Sequence, residues 1–164
     1  MVSMEDVPAE LRWKIAAESS NSLAMGYSLA FRQVLDDKVV NRIEESVWAE
    51  GGKQGKDIAD ALGLPAGSIQ EVDETWGIIG GILIPGVEGE VVKSNDKRVV
   101  TQITSCPLFN SQKEIGLENG EGMCIACRAF NKNAVESLNP EYTQRFTRRM
   151  CMGDDHCESV VEEK

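Results

Sequence analysis

Apolar residues in the first half of the chain recur at helical spacing. Leu11, Ile15, Leu23, Tyr27, Ala30, Phe31 and Leu35 follow Pro8, a residue tolerated in a first helical turn, so a long first helix is predicted. Val39, Ile43, Val47, Ile58 and Leu62 continue the pattern over about Lys38 to Leu62. Gly51-Gly52 is a place for that second helix to bend, and Gly63 and Pro65 end it. A third helix opens at Ser68, an N-cap with Glu71 three residues on, and runs through Val72, Trp76, Ile79 and Leu83 to Pro85. No internal repeat links the three.

After Pro85 the period shortens. Glu90-Val91-Val92-Lys93, the polar turn Ser94-Asn95-Asp96 and the β-branched run Arg98 to Thr104 predict a β-hairpin, closed by Cys106-Pro107. A Gly-rich stretch from Gly116 to Gly122 leads into a fourth helix, Met123 to Leu138, with Met123, Cys127, Phe130, Ala134 and Leu138 on one face and Asn139-Pro140 as its stop. Tyr142 to Cys151 and Cys157 to Val161 form a second hairpin folded at Gly153-Asp154. The expected fold class is α+β: N-terminal helices packed on a four-stranded antiparallel sheet of β-β-α-β-β order. It reads as a single domain over 1–164, with a helical part at 1–86 and a Cys-rich part at 87–164.

Composition narrows the partners. With 164 residues and 41% apolar content the chain buries a proper core. A formal charge of -10 opposes nucleic acid and anionic membranes, and the only basic cluster is Arg145, Arg148 and Arg149. The longest apolar run, Gly77 to Pro85, falls short of the roughly 20 residues that cross a bilayer. Met1 to Glu10 carries acids and a proline where a secretory signal carries positive charge and then an apolar run. A soluble, cytoplasmic protein with small-molecule or protein partners is expected. Gly26, Gly77 and Gly80 on apolar helices permit the close contact of a homodimer, although core packing explains the same residues.

The candidate chemistry is sulfur. All five cysteines lie from position 106 onward, and Cys151-Met152-Gly153-Asp154-Asp155-His156-Cys157 puts two of them and the only histidine around one Gly-Asp turn. Five is an odd number, and in a reducing compartment it argues for free thiols or metal ligands over a disulfide framework. Cys106 leaves a central strand, Cys124 and Cys127 open the fourth helix, and Cys151 and Cys157 flank the last turn, so the five can converge. A helix N-terminus stabilises thiolates, which predicts a depressed pKa for Cys124 and Cys127. Cys106, Cys124, Cys127, Cys151 and Cys157 are therefore the metal or cluster candidates, and four of them satisfy tetrahedral zinc or an iron-sulfur cluster equally well. Each also has a plainer reading. Cys127 on an apolar face fills core, Asp154 and Asp155 make an Asx-type turn, and His156 is solvated at a turn tip. The three arginines either neutralise a carboxylate substrate or pair with acids such as Glu158. Trp13, Trp48 and Trp76 sit on separate helices, as core or as a ligand platform.

The order of a strand at Val99 to Thr104, Cys106-Pro107, a Cys-bearing helix, Leu138-Asn139-Pro140 and Cys151-x-Gly153-Asp154-x-x-Cys157-Glu158 resembles the L-2-amino-thiazoline-4-carboxylic acid hydrolase-like proteins. Its Gly-Asp-x-x-Cys ending also resembles the 4-vinyl reductase-type domains. The resemblance covers about Glu88 to Glu162. It implies a helical layer beside an antiparallel sheet with a ligand cavity between them, as in the vinyl reductase-type domains and related trafficking-subunit folds. Some sensors of that type bind zinc through a strand-end cysteine and ligands near the last hairpin, which Cys106 and Cys157 match best. Cys151 stands closer to Cys157 than that pattern places it.

Two functions compete. In one, the domain binds a small apolar or aromatic molecule in a pocket lined by Trp13, Trp76, Tyr27 or Phe31, and a cysteine-held zinc or iron-sulfur cluster closes the last hairpin against the helix. In the other, the chain is a hydrolase of a cyclic amidine or amide such as a thiazoline carboxylate. There a metal-bound water or a thiolate of Cys124 or Cys106 attacks, and Asp154 or His156 moves protons. A thiol-disulfide protein built on Cys124 and Cys127 is a third, lacking a thioredoxin-like strand order. Binding stands slightly ahead of catalysis, because one histidine and no carboxylate pair at helical spacing within the Cys-rich part leave the general base unidentified.

Overall fold

The structure is a computed structural model that describes residues 3–114 and 121–164, with the backbone alone described at 121–123. Four helices come first: α1 (Ala9–Arg32), α2 (Asp37–Gly52), α3 (Gly55–Leu62) and α4 (Ile69–Leu83). The hairpin β1 (Glu88–Asn95) and β2 (Arg98–Ser105) follows, then α5 (Pro107–Glu114), α6 (Glu121–Leu138), β3 (Tyr142–Arg148) and β4 (Cys157–Glu163). The strands form one antiparallel sheet in the order β1-β2-β4-β3, so the expected α+β architecture is present.

Local signals place most boundaries. Asp36 caps α2 by accepting from the Lys38 N–H, and Gly63 ends α3 at φ 67°, a left-handed conformation that glycine adopts without strain. Ser68 and Glu71 form the expected capping box of α4. The single helix expected over Lys38 to Leu62 is instead two, α2 and α3, interrupted at Lys53-Gln54. The reason is a close crossing: a Cβ on Gly52 would lie 2.3 Å from the Phe130 carbonyl oxygen, so glycine lets α2 meet the α6 backbone. Cys106-Pro107 also does more than close a hairpin. Pro107 occupies the first position of α5, where its missing N–H matters least. The Gly-rich stretch beginning at Gly116 lies outside the described residues as far as Gly120, as does the side chain of Met123.

The core joins the two parts of the chain. Ala59, Ile69, Val72 and Ile79 from α3 and α4 pack with Val135 and Leu138 of α6 against Val99, Tyr142 and Val161 of the sheet. Alternation puts Val99 and Val161, cross-strand partners, on that face. The first helix departs from expectation. Its apolar residues Leu11, Ile15, Leu23, Tyr27 and Phe31 are exposed, and only Met25 and Ser28 of α1 are buried. What holds α1 is polar: Asn21 donates to the Leu83 carbonyl, and Arg32 reaches α2 at Asn41 and Glu44.

Candidate functional site: a sulfur-lined cavity and an apolar cavity

Antiparallel register brings the sulfurs together. Ile103 pairs with Cys157, so the exit of β2, where Cys106 caps α5, lies beside the start of β4. The first turns of α6 bring Cys124 and Cys127 to the same end, and a 3-10 turn at Met150–Met152 brings Cys151. All five cysteines line one cavity of about 50 Å³, together with Leu108, Phe109 and Gln112 of α5 and Met150. The expected convergence is there.

Its chemistry differs from the expectation in two respects. Cys124 and Cys151 are paired as a disulfide across a Cα–Cα distance of 6.2 Å, where free thiols or ligands were expected. Neither sulfur is then a thiolate, so Cys124 is not poised as a nucleophile. Cys106, Cys127 and Cys157 remain free. Among the described residues, however, no three histidine, cysteine or acidic side chains are arranged to hold one metal ion.

The thiol pKa values are raised. Cys127 keeps some residue surface, but its sulfur is enclosed, and this burial pushes the thiol up to about 12. Negative charge on Cys106 or Cys157 contributes to the same rise, while the Asn131 amide, 3.3 Å from the sulfur, opposes it. Burial likewise raises Cys106 against the opposing Phe109 and Leu108 N–H groups, and raises Cys157 against the Met150 N–H at 3.3 Å. The depressed value expected for Cys127 fails because α6 begins at Glu121: Cys127 lies in its second turn, beyond the reach of the unpaired N–H groups, and desolvation wins.

The other candidates take structural places. Asp154 accepts from the Arg149 N–H at 2.7 Å, and His156 Nδ1 lies 2.7 Å from Asp155. Neither lines the sulfur cavity. Asp154 and His156 thus stand outside the cavity that the disulfide-bonded Cys124 lines. Arg145 pairs with Glu162 and Arg148 with Asp155, while Glu158 accepts from Thr147.

A second cavity, of about 540 Å³ and almost wholly apolar, lies between α1, α2 and α6. Tyr27 and Phe31, two of the four aromatics expected to line a pocket, do so; Trp13 and Trp76 do not. Trp13 bonds the Ile82 carbonyl and Trp76 the Asn131 amide. Trp48, read from the sequence as core or ligand platform, lines the wall, and so does Phe130, which sequence reasoning placed only on a helix face; their rings meet edge-on at 5.5 Å. Ile43, Val47 and Trp48 on one side of α2 were the available signal. The polar corner is Glu44, 8% exposed, whose Oε2 receives Arg32 at 2.6 Å. Its Oε1 is buried and accepts no hydrogen bond from a described residue.

No protein-family model matches the chain, and no curated protein matches it. Solved structures do. A trafficking protein particle complex subunit 3 from Naegleria fowleri, covalently bound to palmitic acid, is 14% identical at a TM-score of 0.59 over 94% of this chain and 96% of its own. The phenol-responsive sensory domain of the transcription activator PoxR, solved with phenol, is 8% identical at a TM-score of 0.64 over 87% of this chain and 74% of its own. The chain shares its small α+β fold with both.

Proposed function

We propose that this domain binds a small hydroxylated aromatic or alkyl-aromatic molecule in the cavity between α1, α2 and α6. The observation that carries the reading is the cavity itself: about 540 Å³, within the range that takes a drug-sized ligand, with four aromatic side chains in an apolar wall. The fold likeness supports it, since one solved relative in fold holds phenol and another palmitic acid. Glu44 supports the hydroxyl: it lines the cavity, and its buried Oε1, with no donor among the described residues, would accept from a phenol O–H.

Calorimetric titration with 4-propylphenol and propylbenzene tests this reading. The phenol should bind at least ~10-fold tighter, the minimum expected of a hydrogen bond to a charged acceptor. Ala24→Trp, which fills the cavity from α1, should abolish binding of both. Equal affinity for the two compounds removes Glu44 from the account, and full binding by the Ala24→Trp variant removes the cavity.

A second reading, a cysteine-held zinc or iron-sulfur cluster, is favoured by one observation, the five sulfurs around a single cavity. Cys106, Cys127 and Cys157 would supply three thiolates, and Cys124 or Cys151 the fourth once their disulfide is reduced. Such a group would tie α6 and the last hairpin to the end of β2. Elemental analysis and a visible spectrum of reduced, anaerobically purified protein should then show stoichiometric metal that Cys157→Ser loses; metal-free protein contradicts the reading.

A further inference from the structure

The polar corner of the apolar cavity holds a second side chain with bonding capacity to spare. Ser28 of α1 lines the cavity, as Glu44 does, and is 9% exposed, so solvent offers its hydroxyl little. A serine inside a helix can satisfy its O–H on the carbonyl four residues back, which here is that of Ala24. Ser28 does not. Its one side-chain hydrogen bond among the described residues is received from Arg32, whose Nε donates to Oγ at 3.4 Å.

Arg32 sets the bonding pattern of the whole corner. Its Nε fills one lone pair of Ser28, Nη2 donates to Asn41 and to Glu44 Oε2, and Nη1 donates to Asp37. Ser28 is left with a hydrogen to donate and Glu44 Oε1 with a lone pair to fill, and both groups are tied to one planar guanidinium. Charge is settled there as well: two carboxylates, Glu44 and Asp37, face one guanidinium, so the corner gives an anion no counter-charge.

We infer that Ser28 donates to the ligand's oxygen while Glu44 accepts from it, so that the cavity selects an un-ionised hydroxyl through both of its bonds. The assignment rests on the cavity being the ligand site proposed above, and adds the residue that reads the oxygen. A hydroxyl donates and accepts at one atom. An ether oxygen only accepts, which leaves Glu44 Oε1 bare, and a carboxylate both leaves it bare and brings a like charge beside it. Such a site discriminates through the buried group that the wrong ligand leaves unpaired.

Calorimetry on the full chain with 4-propylphenol, propylbenzene and 4-propylbenzoate tests the inference. The wild-type preference for the phenol over propylbenzene should fall about 5-fold in Ser28→Ala, the effect of one neutral hydrogen bond, and return in Ser28→Thr, which restores a hydroxyl. Should Ser28→Ala fail to fold, Ser28→Cys takes its place and should lose the preference likewise, because S–H is a weak donor. 4-Propylbenzoate should bind at least ~10-fold more weakly than the phenol. A preference unchanged by loss of the hydroxyl, or not restored by Ser28→Thr, overturns the role of Ser28 and leaves the cavity reading standing. Benzoate bound as tightly as phenol overturns the selection of an un-ionised hydroxyl. A wild type that binds phenol and propylbenzene equally removes the oxygen site altogether, and one that binds neither removes the cavity reading and this inference with it.

Discussion

At the scale of single residues, desolvation decides the sulfur chemistry. Cys127 titrates near 12 because its enclosed sulfur loses more by shedding hydration than it gains from Asn131. Iodoacetamide at pH 8 should therefore modify Cys106 and Cys157 well before Cys127, as read by peptide mass mapping; preferential labelling of Cys127 contradicts this. The linkage has a definite sign. A thiol whose folded pKa lies above the unfolded value of about 8.5 contributes stability that is full below that pH and lost as pH rises toward 12. Which sulfurs are present was legible in the sequence, and so was their meeting at one end of the sheet. Their protonation was not, because it depends on how far into α6 Cys127 stands and on what encloses it. The Cys124–Cys151 disulfide was equally hidden, since five cysteines offer many pairings and only tertiary distance selects one.

At the scale of elements, periodicity and caps carried most of the information. The Ser68 capping box, the hairpin turn after Asn95 and the stop at Asn139-Pro140 are local signals, and the structure obeys each. Two features were read incompletely: the bend expected at Gly51-Gly52 is a full break, and α5 was not expected. The break between α2 and α3 lies where Gly52 meets the α6 backbone, and α5 is short and follows a cysteine and a proline that read as a strand terminus. Gly52 makes the point testable. Gly52→Ala should destabilise by about 3 kcal/mol in urea unfolding, the upper end of typical overpacking, because the new methyl meets the Phe130 carbonyl at 2.3 Å. Gly51→Ala, whose methyl would touch only the Phe130 ring at 3.4 Å, should change stability by less than ~1 kcal/mol. Equal effects of the two substitutions would show that α2 does not cross α6 so closely.

For the whole molecule, the arrangement separates a sulfur-rich end from an apolar cavity, and a core shared by α3, α4, α6 and the sheet joins the two parts of the chain. The sequence pointed to the sulfur end because cysteine is rare and clusters visibly. The cavity was half legible: Tyr27 and Phe31 were read as pocket aromatics, but Trp48 and Phe130 come from helices whose meeting depends on Gly52. The three tryptophans provide the most direct test of ligand binding there, because their indole N–H signals resolve separately in a nitrogen-15 correlation spectrum. Trp48 lines the cavity, Trp76 packs behind Phe130, and Trp13 is bonded to the Ile82 carbonyl away from it. Titration with 4-propylphenol should shift the Trp48 signal most, Trp76 less and Trp13 not at all. A saturable shift confined to Trp13, or three unmoved indoles at millimolar phenol, would contradict the account.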